Sequence, residues 1–199
     1  MCDRNNKKVT VKLITFVGLL AALVCVASGL RIQFPTPVGT GAVHFGNIFC
    51  LLSGLLLGGP WGGVAAGLGS CIYDLLSNYA SSAPFTLIFK FVMAYVCGLI
   101  AHRSVTSSEK STAYSTVIRY VLAGVAGQVA YIILYCGKSF LSAIWFKQVE
   151  LETALIDTAA KGAASGINAI IAVAISVPLY LVLKKALIKA GMEDALHLA

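Results

Sequence analysis

Two ionisable residues, Asp74 and Lys90, stand inside long apolar stretches of this chain, and any chemistry would start from them. A charge at the centre of a membrane helix costs about 2.5–3.5 kcal/mol on insertion scales, so such a residue faces a cavity or a partner. The turn signal Ser81-Ser82-Ala83-Pro84 separates the two stretches, and Asp74 precedes it by about as many residues as Lys90 follows it. At about 1.5 Å per residue both lie roughly 10 Å below the same turn, on adjacent antiparallel helices. There they can form a structural ion pair or meet the ring nitrogens and hydroxyls of a ligand. A buried pair that lines a pocket does both.

Further polar groups fall in the same half of later stretches. Gln128, Tyr131 and Tyr135 are spaced three and four apart, which puts them on one helix face. A tyrosine there offers a ring for stacking and a hydroxyl for hydrogen bonding, or else belongs to an interfacial aromatic belt. Asp157 and Lys161 form an i, i+4 pair that reads as a surface salt bridge, and Asn168 lies deeper, where its amide requires partners. Phe34, His44 and Asn47 stand at the mouth of the second apolar stretch. Together these groups predict one outward-facing cavity, rich in aromatic and amide groups and nearly balanced in charge. It suits a small, flat, polar heterocycle and not a bulk ion pathway.

Other patterns lack a necessary partner. Gly137-Lys138-Ser139 ends like a Walker A loop, but the first glycine of that motif would be position 132, which is Ile132. The chain is therefore not expected to hydrolyse nucleotides. His44, His102 and His197 have no HExxH-like spacing, and no GxSxG occurs. The six cysteines (Cys2, Cys25, Cys50, Cys71, Cys97 and Cys136) form no CxxC pair and read as small hydrophobes, so no metal or cofactor is expected. In the glycine-rich run 54–69, Gly54, Gly58 and Gly62, and separately Gly59 and Gly63, recur at the small-xxx-small spacing that lets helices approach.

The elements that must position these residues are membrane helices. The 199 residues are 58% hydrophobic and 12% charged, with a mean hydropathy of +0.86. Soluble domains average about 45–50% and 25%. Eight acids and fifteen bases cannot cover a water-facing surface of this size. An ordinary cytosolic enzyme, a disordered chain and a nucleic-acid-binding domain are excluded, and the net charge of +7 reads as the Lys/Arg excess of cytoplasmic loops. The fold class is an all-α membrane protein. Apolar runs at 13–30, 43–58, 61–79, 84–101, 117–136 and 159–183 predict a six-transmembrane-helix bundle, one domain over residues 1–189 with a short tail at 190–199. The first run follows Arg4, Lys7, Lys8 and Lys12 and so looks like a secretory signal, but the rest of the chain is equally apolar and a first span fits better. Residues 31–41, with Pro35 and Pro37, read as a loop. The other bases on the terminus side are Arg103, Lys110, Arg119, Lys184, Lys185 and Lys189. Arg31, Lys138 and Lys147 lie opposite, beside Glu150 and Glu152. Both termini are therefore predicted to be cytoplasmic.

The order of these features resembles the substrate-binding S components of energy-coupling factor (ECF) vitamin transporters. The resemblance rests on His44-Phe45-Gly46-Asn47, on Leu55-Leu56-Leu57-Gly58-Gly59-Pro60-Trp61, on Asp74-Leu75-Leu76, and on Pro84-Phe85-Thr86 leading to Phe89-Lys90. Within the family the chain is most similar to the branch for hydroxymethylpyrimidine or vitamin B6 compounds, with the riboflavin branch close. The resemblance implies a binding subunit in the bacterial cytoplasmic membrane, with a transmembrane coupling protein and two cytoplasmic ATPases as partners. It implies a vitamin held under the first loop and a subunit that topples in the bilayer to release it. His44, Asn47, Asp74, Lys90, Tyr131, Tyr135, Lys161 and Asn168 are the expected substrate-binding residues. The family's first helix docks through an Ala-xxx-Ala-type surface, which Gly18 and Ala22 match in spacing and Cys25 and Gly29 extend. The alternatives are an S component for another vitamin or an autonomous secondary carrier. A carrier would need ion-coupling residues in mid-membrane and often inverted repeats, and neither is found.

Overall fold

The structure is a computed structural model that describes residues 11–103 and 113–192. Helix α1 (Val11–Gly29) leads into strands β1 (Arg31–Thr36) and β2 (Gly39–His44), which form an antiparallel hairpin. Helix α2 (Gly46–Leu76) follows, then a 3₁₀ turn (Ala80–Ser82), α3 (Ala83–Ala101), α4 (Ala113–Trp145) and α5 (Leu151–Lys189). All five helices are long and apolar enough to cross a membrane. The expected tail, the bases Arg4, Lys7, Lys8 and Lys110, Cys2 and His197 lie wholly or mainly outside the described residues.

Among the described residues five long helices stand where six were expected, because the second and third apolar runs are joined as two limbs of α2. The break is at Gly58, whose φ of 77° and ψ of −178° are not helical. A side chain would be strained at that φ, and Pro60 just beyond it suits the opening turn of the second limb. The limbs fold back on each other. The Ser53 Oγ lies 2.7 Å from Cys50 O and, across the break, 2.9 Å from Gly62 O, so its one proton is shared between the two carbonyls. Cys50 Sγ lies 3.8 Å from Ser70 Oγ. The first limb, residues 46–57, is roughly 18 Å long at about 1.5 Å per residue. That is short of the roughly 30 Å hydrocarbon core.

The glycine-rich run packs, as its spacing predicts. A Cβ on Gly54 would sit 2.5 Å from Ala94 O on α3, and one on Gly67 would sit 2.9 Å from Leu87 O. Helices in lipid gain nothing by hiding apolar surface from water, so close backbone approach supplies much of their attraction. Leu51, Leu52, Leu55 and Leu57 of α2, Met93 of α3 and Tyr180 of α5 fill the interior.

Three boundaries differ from expectation, all at the hairpin end. Residues 31–41 form most of a β-hairpin and not a loop. Pro35 pairs with Thr40, and Pro37 stands in the turn. A two-stranded ribbon consists only of edges, where a residue without an N–H is tolerated. Val43 and His44 end β2 and do not begin a span. Helix α4 runs on to Trp145 and α5 begins at Leu151, so the mixed stretch after Gly137 is mostly helical. Its polar face is turned towards a cavity, which hydropathy alone does not register.

Gly54→Ala is expected to destabilise the fold by about 1–3 kcal/mol, because the added methyl meets backbone that cannot yield. Gly18→Ala, where a Cβ meets nothing within 4 Å, should leave stability unchanged. Thermal unfolding of the two variants in detergent compares them directly.

Candidate functional site

The floor of the site is built around Lys90, only 3% exposed on α3. Its ammonium donates to Asn47 Oδ1 and sits 3.8 Å above the centre of the Tyr131 ring. Asn47, in the first turn of α2, is fully buried and donates through Nδ2 to Gln128 Oε1 at 3.2 Å. Gln128 and Tyr131 share a face of α4, and the Tyr131 ring stacks on Tyr135 with centroids 5.7 Å apart. An amide oxygen and an aromatic face thus take the place of a carboxylate for a buried cation.

Of the two readings open for Asp74 and Lys90, the direct ion pair does not form. Among the described residues the ion pair is Lys161–Asp157, at 2.8 Å. The Lys90 head turns towards Asn47, while Asp74 is buried near the top of the second limb and faces the cavity. Their similar depth brings both to one cavity but not into contact.

The roof is the hairpin, and α5 holds it at both ends of β2. The Val38 N–H donates to Asp157 Oδ1 at 3.1 Å, and Lys147 Nζ donates to Val38 O. Further along, the His44 N–H donates to Asn168 Oδ1 at 2.9 Å, and Asn168 Nδ2 donates to Ala42 O at 3.0 Å. Asp157 is fully buried, so its pair with Lys161 is not the surface bridge that the i, i+4 spacing predicted. The deep Asn168 amide has the partners it requires, and they are strand backbone.

Between floor and roof lies a cavity of about 490 Å³. Seven of the eight expected substrate-binding residues line it: His44, Asp74, Lys90, Tyr131, Tyr135, Lys161 and Asn168. Asn47 lies behind the wall and holds Lys90. Phe34 is spent within the hairpin, its ring covering Gly41 on the opposite strand. Burial first, then the charges of Lys90 and Arg31, hold the His44 imidazole well below its ordinary value of 6.5, so it is neutral at pH 7.

Sequence reasoning missed Arg31, Lys138, Ser139 and Lys147, all of which line the cavity. The Arg31 guanidinium lies between two rings, 4.4 Å from the centre of Tyr73 and 4.8 Å from that of Tyr79. The signal for Lys138 and Ser139 was present, since they continue the Tyr131–Tyr135 face by one more turn. The cavity is therefore not balanced in charge. Five bases line it, including Lys90 and Lys161, against Asp74 alone, with Asp157 buried behind Lys161. Bases placed on the side opposite the termini belong to the wall: Lys138 because α4 extends, Arg31 because it opens the hairpin, and Lys147 because it bonds the hairpin turn.

On the outer side of α1, Gly18, Ala22 and Gly29 are exposed and Cys25 is half-buried. A Cβ on Gly18 would meet nothing within 4 Å, whereas one on Gly29 would lie 3.4 Å from the Tyr73 ring of α2.

Residues 8–185 match the family described as the S component of ECF-type riboflavin transporters. The chain belongs to that family. S components are the substrate-binding subunits of vitamin transporters, so this one is a multi-pass membrane transport subunit and not an enzyme. It is also similar to a Pyrococcus woesei protein described as "uncharacterized protein in gap 3'region", with 29% identity over 112 residues, 56% of this chain and 68% of that one.

Two outcomes follow for this S component. Asn168→Ala removes two bonds to β2. It should loosen the hairpin by about 1–3 kcal/mol, read as faster amide hydrogen exchange at residues 42–44 than in the parent. His44 gives a pH dependence. The unfolded imidazole takes up a proton near pH 6.5 and the folded one does not, so stability is full above about 6.5 and falls as pH drops towards the depressed folded value. His44→Gln should flatten the decline in Tm between about pH 7 and pH 5.

Proposed function

We propose that this S component captures a flat, hydroxylated nitrogen heterocycle of the hydroxymethylpyrimidine or pyridoxine kind at the outer face of the cytoplasmic membrane. A transmembrane coupling protein and two cytoplasmic ATPases supply the energy of uptake. The observation that carries this reading is the cavity beneath the hairpin, whose wall takes polar groups from α2, α3, α4, α5 and β2 together. Its volume of about 490 Å³ falls within the roughly 300–1,000 Å³ of small-molecule sites. The Tyr131–Tyr135 stack offers ring faces, Asp74 accepts from a ring N–H or hydroxyl, and Lys90 donates to a ring nitrogen or oxygen. Riboflavin is the second reading, favoured by the family match and by a volume generous for a single ring.

In this reading the two limbs of α2 count separately, the hairpin and the short first limb making the second crossing together, which gives six crossings with both termini cytoplasmic. The bias of bases supports that orientation. Lys12, Arg103, Arg119, Lys184, Lys185 and Lys189 all lie at the end away from the hairpin. Nothing in the motifs binds ATP, which fits a subunit energised by partners. The small-residue face of Gly18 and Ala22, extended by Cys25 and Gly29, is the proposed docking surface for the coupling protein.

A thermal-shift screen of the purified chain against water-soluble vitamins tests capture, since a ligand bound only by the folded state raises Tm. Lys90→Ala should weaken binding of the hit at least tenfold, about 1.4 kcal/mol. Retained affinity would remove Lys90 from the site. Ala22→Leu should leave binding intact and abolish ATP-dependent uptake in vesicles carrying the whole transporter. Uptake by the chain alone, driven by an ion gradient, would overturn the proposal.

A further inference from the structure

The excess of positive charge in the cavity is not explained by a neutral heterocycle. Three lysines gather near the hairpin tip. Lys161 is bonded to Asp157 at 2.8 Å and donates to Ser139 Oγ at 3.2 Å. Lys147 donates to Val38 O in the hairpin turn. Lys138, beside Ser139, is 5.2 Å from the centre of the Phe85 ring. An ammonium has three donors, and these contacts leave several free. Like charges held together in a partly dehydrated site repel, and an opposite charge between them relieves the cost. Asp157 cannot supply it, because it is committed to Lys161 and the Val38 N–H. Asp74 is a single charge against those that remain.

We propose that the captured ligand carries an anionic group, a phosphate or a carboxylate, seated among Lys138, Lys147 and Lys161 with the Ser139 hydroxyl as a further donor. The inference rests on the vitamin-capture reading and narrows its ligand class to the charged members. The heterocycle then extends from this end towards Tyr131 and Lys90. Gly137-Lys138-Ser139, which lacks the first glycine of a nucleotide loop, contributes here what lysine and serine always offer an anion: a mobile positive charge and a hydroxyl donor.

Calorimetric titration of the purified full chain in an uncharged detergent tests this with matched pairs: pyridoxal and pyridoxal 5′-phosphate, riboflavin and riboflavin 5′-phosphate, nicotinamide and nicotinate. In the pair bound most tightly the anionic member should bind at least tenfold better. That preference should weaken with added salt. It should shrink to about threefold or less in the double variant Lys138→Gln, Lys147→Gln, while Lys138→Arg retains it. A neutral member that binds as well as its anionic partner overturns this inference and leaves vitamin capture standing. If no member of any pair and no other vitamin binds, both fall. Inorganic phosphate and phosphatidylglycerol are titrated separately. A response to the lipid with none to the soluble anions assigns the lysines to headgroups and overturns the inference.

Discussion

A lysine ammonium buried without a carboxylate is the constraint on which the site depends. Lys90 can remain inside α3 only because Asn47 and the Tyr131 ring receive its charge, and each of those must be held in turn. Gln128 holds Asn47, so the first turn of α2 is tied to the middle of α4. Tyr135 backs Tyr131. One buried charge thereby fixes the relative rotation of three helices. The close backbone approach of α2 and α3 at Gly54 and Ala94 brings Asn47 and Lys90 near enough to bond. Packing and polar chemistry are here two aspects of one arrangement.

The sequence made the floor of the cavity legible and its roof much less so. Asp74, Lys90, Tyr131 and Tyr135 announce themselves because ionisable and aromatic groups at helical spacing inside apolar runs have few other uses. The partner of Lys90 was not legible, since depth along a helix is set by counting residues but azimuth is set by packing. Two charges at one level can still face different neighbours, as Asp74 and Lys90 do. The hairpin was hidden for another reason. Proline in residues 31–41 forbids a helix, but the backbone partners that make those residues strands lie on each other, and those that hold them lie on α5, more than a hundred positions away.

The misreading of charge has the same origin. Arg31, Lys138 and Lys147 read as bases of the side opposite the termini because hydropathy falls where they occur. A helix that lines a polar cavity also loses hydropathy, so a window average cannot tell the end of a span from its cavity-facing turn. The spacing of Tyr131, Tyr135, Lys138 and Ser139 can, because a loop has no reason to keep helical period. In a small membrane bundle a polar stripe that keeps that period past the apparent end of a span is evidence for a cavity wall.

The hairpin's attachment also bears on how such a cavity could be entered. Four hydrogen bonds tie it to α5 and to the connection between α4 and α5, from Val38 to Asp157, from Lys147 to Val38, and both ways between Asn168 and β2. At about 0.5–1.5 kcal/mol net for each neutral bond and about 1.5–3 kcal/mol for each of the two charged ones, the clasp is worth roughly 4–9 kcal/mol. Driving a two-state element from almost wholly one form to almost wholly the other takes about 5.5 kcal/mol. The two figures are of the same order. A roof held by hydrogen bonds to four backbone groups, and by Val38 packed against Ala143 and Ala154, is firm enough to shut a cavity. It is also within reach of the binding free energy of a small ligand.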